Sequence, residues 1–304
     1  MVHTPASKTV LVTGGAGFVG SHLVDALVRE NDVRILDDFS TGKRSNVNDD
    51  ATLIEGDIRD SETLRRATED VDLIFHEAGV VSVQQSVEDP ISANEVNLDA
   101  TLALLERARE HDARVVLASS CAIYGQPTEI PVSEDEPFSP SSPYGLQKSA
   151  LDHYARLYEE LYGLETVALR YFNIYGPRQS SGDYSGVISI FKRQATNGEP
   201  ITVDGDGEQT RDFVHIDDVV RANLLAATTD HVGEAYNVGT GTSVTINELA
   251  ETIRDVSGSS SDIVHTDPRP GDIQESEADI SNASEKLGYE ATVPLSVGLE
   301  SIID

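Results

Sequence analysis

A tyrosine and a lysine stand four residues apart in the segment SPYGLQK, as Tyr144 and Lys148. Pro143 suits the first position of a helix, and Ser141 or Ser142 can cap it, so a helix is predicted to begin here. Side chains four residues apart share one helix face, where an ammonium stabilises the phenolate form of a nearby phenol. The pair therefore indicates proton transfer by a tyrosine.

The spacing of this pair also has a chance interpretation. The chain has ten tyrosines, and its lysines stand only at positions 8, 43, 148, 192 and 286. Random placement yields the same spacing about 0.2 times in such a chain, so a solvent-exposed tyrosine and lysine pair is the competing interpretation.

A second motif, TGGAGFVG at residues 13–20, is rich in glycine and follows an apolar run. Gly15, Gly17 and Gly20 match the G-x-G-x-x-G spacing, which permits a tight turn, close approach of a pyrophosphate and packing of a helix on a strand. The N-terminus of the next helix offers N–H donors and a positive dipole to phosphate. The glycine pattern alone also fits an ordinary strand-to-helix turn.

An acidic residue follows at the end of the next predicted strand. Asp37, in ILDD, lies 17 residues after Gly20, close to the usual offset of about 20 for the carboxylate that binds ribose hydroxyls. Such a carboxylate repels the extra phosphate of NADP, so NAD is the predicted cofactor. A solvated turn is the alternative for Asp37 and Asp38, and Arg44 nearby leaves NADP open.

Two further strand ends point to the same pocket. EGDI at residues 55–58 places Asp57 where it can meet an adenine amino group, and HEAG at residues 76–79 offers small residues beside a dinucleotide. His76 is interpreted as a packed core histidine rather than as a catalyst. The motifs predict no metal site.

The elements that must position these residues alternate between β-branched runs and helical stretches, which is typical of a parallel sheet wrapped by helices. The predicted strands are 9–13, 33–36, 52–55, 73–75, 114–118, 166–169 and 235–238. The predicted helices are 18–30, 61–68, 90–110, 143–161 and 217–228. Beyond residue 170, turn residues interrupt this alternation.

These elements predict an α/β fold: a Rossmann doubly wound parallel sheet with a smaller α/β C-terminal lobe for the substrate. The predicted Rossmann domain comprises residues 1–174 plus about 213–240, and the predicted lobe comprises about 175–212 plus 241–304.

Composition limits the classes of function. The 304 residues include 53 acidic and 22 basic ones, a formal net charge of -31, which makes nucleic acid and anionic membranes poor partners. The acidic residues are spread along the chain, so we hypothesise a solvated surface adapted to high salt. The single Cys121 excludes an internal disulfide, and the lack of a signal peptide or an apolar run of about 20 residues predicts a cytoplasmic protein.

Several motifs in the same order resemble the extended short-chain dehydrogenase/reductase family, in its UDP-glucose 4-epimerase branch. They are TGGAGFVG, SSCAIYG at residues 119–125, the Tyr144 and Lys148 pair, RYFNIYGPRQ, TRDFVHIDDV and RPGD. The resemblance implies that Ser120 bonds the sugar 4-hydroxyl, that Tyr144 is the base, and that Lys148 holds the nicotinamide ribose and lowers the tyrosine pKa. Moving a phenol pKa from about 10 towards 7 requires roughly 4 kcal/mol, which Lys148 and the cationic nicotinamide ring can share.

The motifs and the resemblance together predict two sets of binding residues. The set for NAD is Gly14, Gly15, Gly17, Phe18, Val19, Gly20, Asp37, Asp38, Asp57, Ile58, Ala78, Asn97, Ser119, Tyr144, Lys148 and Tyr171. The set for a UDP-sugar is Ser120, Tyr144, Asn173, Arg178, Arg211, Arg269, Asp272 and Ser276. Arginines that converge on one cleft of an acidic protein bind diphosphate through forked hydrogen bonds, although each can instead be a surface ion-pair partner.

The reaction that the resemblance implies is NAD-dependent interconversion of UDP-glucose and UDP-galactose through a 4-keto intermediate. A small Ser276 suggests room for an N-acetyl group at C2, and uronic acid forms stay open. A 4-keto-sugar reductase uses the same Ser, Tyr and Lys and stays an alternative. Dehydratases and decarboxylases are disfavoured, because Ser120-Cys121-Ala122 stands where the dehydratases carry Thr-Asp-Glu and the decarboxylase glutamate is also missing.

A more distant alternative is a non-catalytic protein that senses NAD, but such proteins typically lose the Tyr or the Lys. The family usually forms homodimers through the helices predicted at 90–110 and 143–161. The apolar residues offered for that seam are Leu102, Leu105, Leu151, Tyr154 and Leu157, with core positions as the alternative interpretation.

Overall fold

The structure is a computed structural model that describes residues 4–179, 186–269 and 271–303. Its strands are β1 (Thr9–Thr13), β2 (Asp32–Asp37), β3 (Thr52–Glu55), β4 (Leu73–His76), β5 (Arg114–Ser120), β6 (Thr166–Tyr171), β7 (Asn173–Tyr175), β8 (Ile201–Asp204), β9 (Thr210–Arg211), β10 (Phe213–His215), β11 (Glu234–Val238), β12 (Val244–Thr245) and β13 (Ile263–Thr266). Its α-helices are α1 (Phe18–Leu27), α2 (Ser61–Thr68), α3 (Val83–Glu88), α4 (Pro90–Asn94), α5 (Ala100–His111), α6 (Pro143–Tyr162), α7 (Val187–Asn197), α8 (Ile216–Ala226), α9 (Ile246–Val256), α10 (Ser281–Leu287) and α11 (Leu295–Ile303).

The centre of the molecule is a parallel sheet of seven strands in the order β11-β6-β5-β4-β1-β2-β3. After β1, the strands β2 and β3 are added on one side of the sheet, whereas β4, β5, β6 and β11 are added on the other side. The direction in which successive strands are added therefore reverses between β1 and β4. In open parallel sheets a ligand crevice forms at the carboxyl ends of the strands at this reversal point. The Rossmann-type fold predicted from the sequence is confirmed.

Both faces of the central sheet are covered, as the β-branched runs require. Val10, Val12 and Ile35 pack with Leu23 and Val24 of α1 on one face. The other face packs on α2, α5 and α6, and its fully buried members include Leu11, Ile74, Leu104, Leu105, Val115, Leu117 and Leu151. Leu105 and Leu151 are therefore core residues, as the alternative interpretation held, and their assignment to a dimer seam is wrong.

Two predicted helices differ from the structure. The helix predicted at 18–30 ends at Leu27, where the Asn31 side chain bonds the Leu27 carbonyl at 3.0 Å. The helix predicted at 90–110 consists of α4, a π-helix at Glu95–Asp99 and α5. A π-turn carries one extra residue, which rotates the side chains that follow it.

The smaller lobe consists of short strands and three helices around their own core. Within the described residues β7 pairs with β10, β8 with β13 and β9 with β12. Its core contains Tyr175, Ile188, Phe191, Ile201, Phe213, Leu249, Ile253 and Leu299. The predicted domain boundaries stay a prediction.

Helix α10 packs differently from what those boundaries imply. Ala283, Leu287 and Tyr289 join the core on the α1 and α8 side of the central sheet, although they lie in the stretch 241–304 predicted for the lobe. The reason is a long-range contact, the docking of α10 on β11, that no local pattern reveals. No helix in the described part of the chain combines the length and the apolarity needed to cross a membrane.

Candidate active site

The glycine turn lies at the reversal point of the sheet and is packed so closely that it excludes side chains. Gly14 has a φ of +68°, and a Cβ on it would lie 2.8 Å from the Ala78 nitrogen. A Cβ on Gly20 would lie 2.2 Å from the Gly14 oxygen. Gly17 is the N-cap of α1 and has no side chain to bond the first N–H groups of the helix, which leaves these donors for a phosphate. This cradle fits a dinucleotide.

Asp37 ends β2 beside the glycine turn. Its carboxylate accepts hydrogen bonds from the Ala16 N–H at 2.9 Å and the Phe39 N–H at 2.8 Å. Burial raises the pKa of Asp37, and the two backbone donors act in the opposite direction. Arg44, which left NADP open, instead pairs with Glu55 at 2.5 Å. Its charge is thereby offset, so the surroundings of Asp37 suit NAD.

Three other residues predicted for the cofactor already have partners within the protein. Asp57 forms an ion pair with Arg59 at 2.6 Å. The Ile58 side chain is buried in the core between the sheet and helices α2, α5 and α6. The Ser119 hydroxyl is buried and donates to Asp152 at 3.1 Å. The Ile58 and Ser119 side chains therefore point into the protein, and their cofactor roles stay predictions.

Asn97 lies in the π-helix and connects the loop after β4 to α6. Its side-chain oxygen accepts from the Val80 N–H at 2.7 Å, and its amide nitrogen donates to the Val80 oxygen at 3.0 Å. The same nitrogen donates to the Gln147 side chain at 2.8 Å. Asn97 thus holds a loop that borders the glycine turn next to the helix that carries Tyr144 and Lys148.

The serine, tyrosine and lysine predicted to act in catalysis lie together and are buried. Ser120 ends β5, its hydroxyl accepts from the Ala122 N–H at 3.2 Å, and it acts to lower the pKa of Tyr144. The Lys148 ammonium lies 5.9 Å from the Tyr144 ring centre and donates to the Ala118 oxygen at 2.6 Å. Helix α6 begins as predicted, with Ser142 accepting from the Gly145 N–H at 3.1 Å.

Burial dominates the ionisation of this group. It raises the pKa of Tyr144 to about 12, while the Ser120 hydroxyl acts to lower it. Burial also lowers the pKa of Lys148 to about 8. The direction for Tyr144 differs from the lowering that the resemblance implies, because removing a phenolate from water costs more than one hydroxyl donor returns.

Glu77 also lies in this site and was missed by the sequence analysis. It directly follows β4, and its carboxylate accepts a hydrogen bond from the Tyr171 hydroxyl at 2.9 Å. Burial raises the pKa of Glu77 to about 7, while Tyr171 and Lys148 act to lower it. The motif HEAG was expected to offer small residues, but its second residue is a glutamate. This acidic residue is the feature of the sequence that points to Glu77.

His76 is a core histidine, as interpreted from the sequence. Its ring nitrogens bond the hydroxyls of Thr13 and Thr101, both at 2.8 Å. Burial lowers the pKa of His76 to about 3, so the ring is neutral near pH 7.

At the predicted substrate end, Arg211 and Asp272 form an ion pair at 2.5 Å. The Gln126 side chain donates to the Asp272 backbone oxygen at 3.4 Å, which connects this pair to the loop that follows β5. Asn173 donates to the Asp212 backbone oxygen at 3.0 Å. The structure therefore brings one predicted arginine and the predicted ribose aspartate together beside the end of β5.

The other predicted substrate residues have different surroundings. Arg269 is exposed and pairs with Asp204 at 3.0 Å. Arg178 forms an ion pair with Asp25 of α1 at 2.7 Å. Its partner therefore belongs to the large domain and not to the Arg211 and Asp272 pair. Ser276 is buried. The roles of these three residues stay predictions.

The fold and the site define a class of protein. A parallel sheet with a glycine cradle at its reversal point, an acidic residue at the end of β2 and a buried tyrosine beside a lysine are typical of an enzyme that binds a dinucleotide.

Comparisons with known proteins identify the family. The model of the NAD dependent epimerase/dehydratase family matches residues 10–239. UDP-glucose 4-epimerase of Mycolicibacterium smegmatis is 37% identical, over 97% of each chain. The chain belongs to this family, its cofactor is NAD, and the predicted resemblance to the extended short-chain dehydrogenases is confirmed.

Two solved structures are also similar throughout. The UDP-N-acetylglucosamine 4-epimerase of Methanobrevibacter ruminantium, in complex with UDP-N-acetylmuramic acid, is 41% identical with a TM-score of 0.95 over 98% of each chain. The UDP-glucose 4-epimerase of Thermus thermophilus, in complex with NAD, is 38% identical with a TM-score of 0.90, over 97% of this chain and 98% of the other.

Proposed function

We propose that this enzyme is a UDP-sugar 4-epimerase, with Tyr144 as the residue that transfers the proton of the sugar 4-hydroxyl. The observation that carries the proposal is the joint burial of Ser120, Tyr144 and Lys148, with the Lys148 ammonium 5.9 Å from the Tyr144 ring centre. The neighbours Cys121 and Ala122 are not acids, so the eliminating pair of a dehydratase has no counterpart there. Similarity to 4-epimerases over nearly the whole chain supports the same assignment.

In the proposed mechanism Ser120 orients the sugar hydroxyl toward the Tyr144 oxygen. Tyr144 removes the hydroxyl proton and later returns it, while the Lys148 ammonium stabilises the phenolate. NAD, when bound, supplies reversible hydride acceptance, and the glycine cradle and Asp37 would hold it. Because the surrounding protein raises the pKa of Tyr144 to about 12, we infer that positive charge from Lys148 and from bound NAD is needed to lower it.

The substrate end is proposed to bind a UDP group through Arg211, with Asp272 at the ribose. Asn173 and Arg269 are proposed as further ligands, although Arg269 would have to leave Asp204. Because the side chain of Ser276 is small, we propose that UDP-N-acetylhexosamines are accepted beside UDP-glucose and UDP-galactose. The similarity to a UDP-N-acetylglucosamine 4-epimerase favours this breadth.

A homodimer is also proposed, through the face formed by α3, α4 and α6. Large apolar side chains there are open to solvent, with Ile91 73%, Leu146 61% and Leu161 63% exposed. Exposed apolar residues grouped in this way are typical of a protein interface. Leu157, from the predicted seam, is exposed on the same helix. Light scattering tests this proposal, and a monomer at micromolar concentration contradicts it.

Replacement of the proposed base tests the function. We expect Tyr144→Phe to lower turnover by about 100- to 10,000-fold, the contribution of one positioned acid–base group. The measurement is inversion at C4, followed by NMR, for UDP-glucose and UDP-N-acetylglucosamine separately. Tyr162→Phe is the matched control, because Tyr162 lies on the same helix and is 52% exposed.

The NAD content of the purified Tyr144→Phe protein is measured beside turnover. Retained NAD with lost turnover supports the proposed role of the hydroxyl, whereas unchanged turnover refutes the assignment of Tyr144 as the base.

A further inference from the structure

Asp212 is a fully buried aspartate that lies between β9 and β10. Its carboxylate accepts hydrogen bonds from the Thr240 N–H at 2.8 Å and the Thr240 hydroxyl at 2.7 Å. It also accepts from the Gly241 N–H at 3.1 Å and from the Ala278 N–H at 3.2 Å. One side chain therefore joins three segments of the chain that are far apart in sequence.

These segments are places at which the chain passes between the central sheet and the smaller lobe. Asp212 itself leads through β10 into α8, which packs on the central sheet. Thr240 and Gly241 connect β11 of the sheet to β12 of the lobe, and Ala278 precedes α10, which returns to the sheet. The Asp212 backbone oxygen reaches a fourth crossing, because it accepts from the Asn173 N–H at 3.1 Å, two residues after the end of β6.

Gly239 shows how closely these crossings are packed around the carboxylate. A Cβ on Gly239 would lie 2.6 Å from an Asp212 carboxylate oxygen and 2.6 Å from the Ala278 Cβ. The Tyr289 hydroxyl donates to the Gly239 oxygen at 2.8 Å. Because such packing leaves no free space, a displacement of one segment must displace the others. We call this cluster the Asp212 junction, and it comprises Asp212, Gly239, Thr240, Gly241 and Ala278.

The residues proposed to bind the UDP group are attached to the Asp212 junction. Arg211 directly precedes Asp212 and pairs with Asp272 at 2.5 Å. Asn173 donates to the Asp212 backbone oxygen through its side chain at 3.0 Å as well as through its N–H. Tyr144, in contrast, is carried by α6, which packs on the central sheet. The junction therefore connects the proposed UDP site to the part of the protein that holds the proposed base.

We propose that Asp212 is a positioning residue for the substrate, which fixes Arg211 and Asn173 at the distance from Tyr144 that a UDP-sugar spans. The inference rests on the proposed function, in which Arg211 binds the UDP group and Tyr144 meets the sugar. An aspartate suits this role because a carboxylate has about four lone-pair sites and no donor. An asparagine has a single oxygen and would turn N–H groups towards donors that already point at this position.

The proposal is tested by the Kd for UDP, measured by isothermal titration calorimetry on protein saturated with NAD. We expect Asp212→Asn to raise this Kd by about 3- to 30-fold, the size of effect for a residue that acts on a binding site without touching the ligand. The KM for UDP-glucose should rise by a similar factor. The NAD content of the purified protein should not change, because the glycine cradle belongs to the turn between β1 and α1.

The matched control is Asp218→Asn. Asp218 is also fully buried, and it accepts hydrogen bonds from the Thr292 N–H at 3.0 Å and the Val293 N–H at 3.1 Å. These two residues lie after α10, in a crossing that carries none of the residues proposed for UDP. Both substitutions should lower the unfolding midpoint, since each leaves buried N–H groups without an acceptor. Asp218→Asn should change the Kd for UDP less than about twofold.

A role in stability alone predicts that Asp212→Asn behaves like this control. A lower unfolding midpoint with an unchanged Kd for UDP in the folded protein therefore overturns the proposal.

A milder pair of variants decides the matter if Asp212→Asn does not fold. Thr240→Val removes one hydroxyl donor to the carboxylate and keeps the shape of the side chain. It should raise the Kd for UDP by about twofold or more. Thr242→Val is its control, because Thr242 is exposed in the same loop and its hydroxyl bonds Thr240 and not Asp212. Equal Kd values for the two valine variants overturn the proposal.

The outcomes separate this inference from the proposed function. If Arg211→Met weakens UDP binding and Asp212→Asn does not, the UDP site stands and the role of Asp212 fails. If neither weakens UDP binding, the proposed UDP site is wrong and the role of Asp212 fails with it. If Tyr144→Phe keeps full turnover while Asp212→Asn weakens UDP binding, the proposed base is wrong and the role of Asp212 is supported.

Discussion

Arg211 is held in a fixed orientation by its neighbours. Its side chain is only 14% exposed, and its guanidinium donates to Asp272 at 2.5 Å and to the Thr210 carbonyl at 2.7 Å. The planar guanidinium has five N–H groups, and those that these two acceptors do not use can donate to phosphate oxygens. We propose that these free N–H groups bind the phosphate oxygens of the substrate in a chain whose net charge is -31.

Removing this cation should weaken nucleotide binding. We expect Arg211→Met to raise the Kd for UDP by about 10- to 100-fold, because charge-assisted hydrogen bonds contribute roughly 1.5 to 3 kcal/mol. Isothermal titration calorimetry measures this Kd. Arg193→Met, in an exposed position on α7, is the control and should change the Kd less than about twofold. Equal effects of the two substitutions argue against Arg211 as a ligand.

At the scale of elements, the function depends on how α6 is fixed to the sheet. Tyr144, Lys148 and Asp152 follow one another at intervals of four residues and so share a face. Asp152 forms two hydrogen bonds with Arg170 of β6, both at 2.9 Å and fully buried. A further hydrogen bond to Asp152 comes from Ser119 of β5. The helix face that carries the proposed base is therefore anchored one turn farther along.

Breaking this anchor should destabilise the protein. We expect Asp152→Asn to lower the free energy of unfolding by about 3 to 5 kcal/mol, since it leaves the Arg170 charge buried without its partner. Urea unfolding followed by circular dichroism measures the change. Glu62→Gln is the control, because Glu62 pairs with Arg65 on the surface of α2, and its effect should stay below about 1 kcal/mol. A loss for Asp152→Asn no larger than the control contradicts the anchoring role.

At the scale of the whole molecule, the dominant feature is the excess of acidic residues. Carboxylates outnumber basic groups by 53 to 22, and no local ion pairing can offset that difference. Repulsion among like charges favours expanded states of the chain at low ionic strength. Salt weakens this repulsion, because the Debye length falls to about 3 Å at 1 M.

We therefore propose that the protein is adapted to concentrated salt. The unfolding midpoint should rise by about 5 °C or more between 0.1 and 2 M KCl, a change of roughly 2 kcal/mol for a chain of this size. Differential scanning calorimetry measures it, and sucrose at matched osmolality is the control for effects other than screening. A midpoint that is flat or falls with added KCl rules out the adaptation.

Local patterns in the sequence determined the parts of the fold that depend on near neighbours. The β-branched runs mark the central strands, and the glycines at 14, 15, 17 and 20 mark a turn whose packing excludes side chains. Proline and serine mark the beginning of α6, and the spacing of Tyr144 and Lys148 puts them on one face. Periodicity and turn chemistry act over a few residues, so these features are visible in the sequence alone.

Only the tertiary structure decided what meets across long separations. It placed Glu77 against Tyr171, held Arg178 against α1, and buried Leu105 and Leu151 in the core. It also packed α10 on the central sheet. Such contacts join residues tens to hundreds of positions apart, and which face of an element is covered depends on the packing of all its neighbours. The sequence therefore showed which residue types are present, but only the folded chain determined their partners and their ionisation.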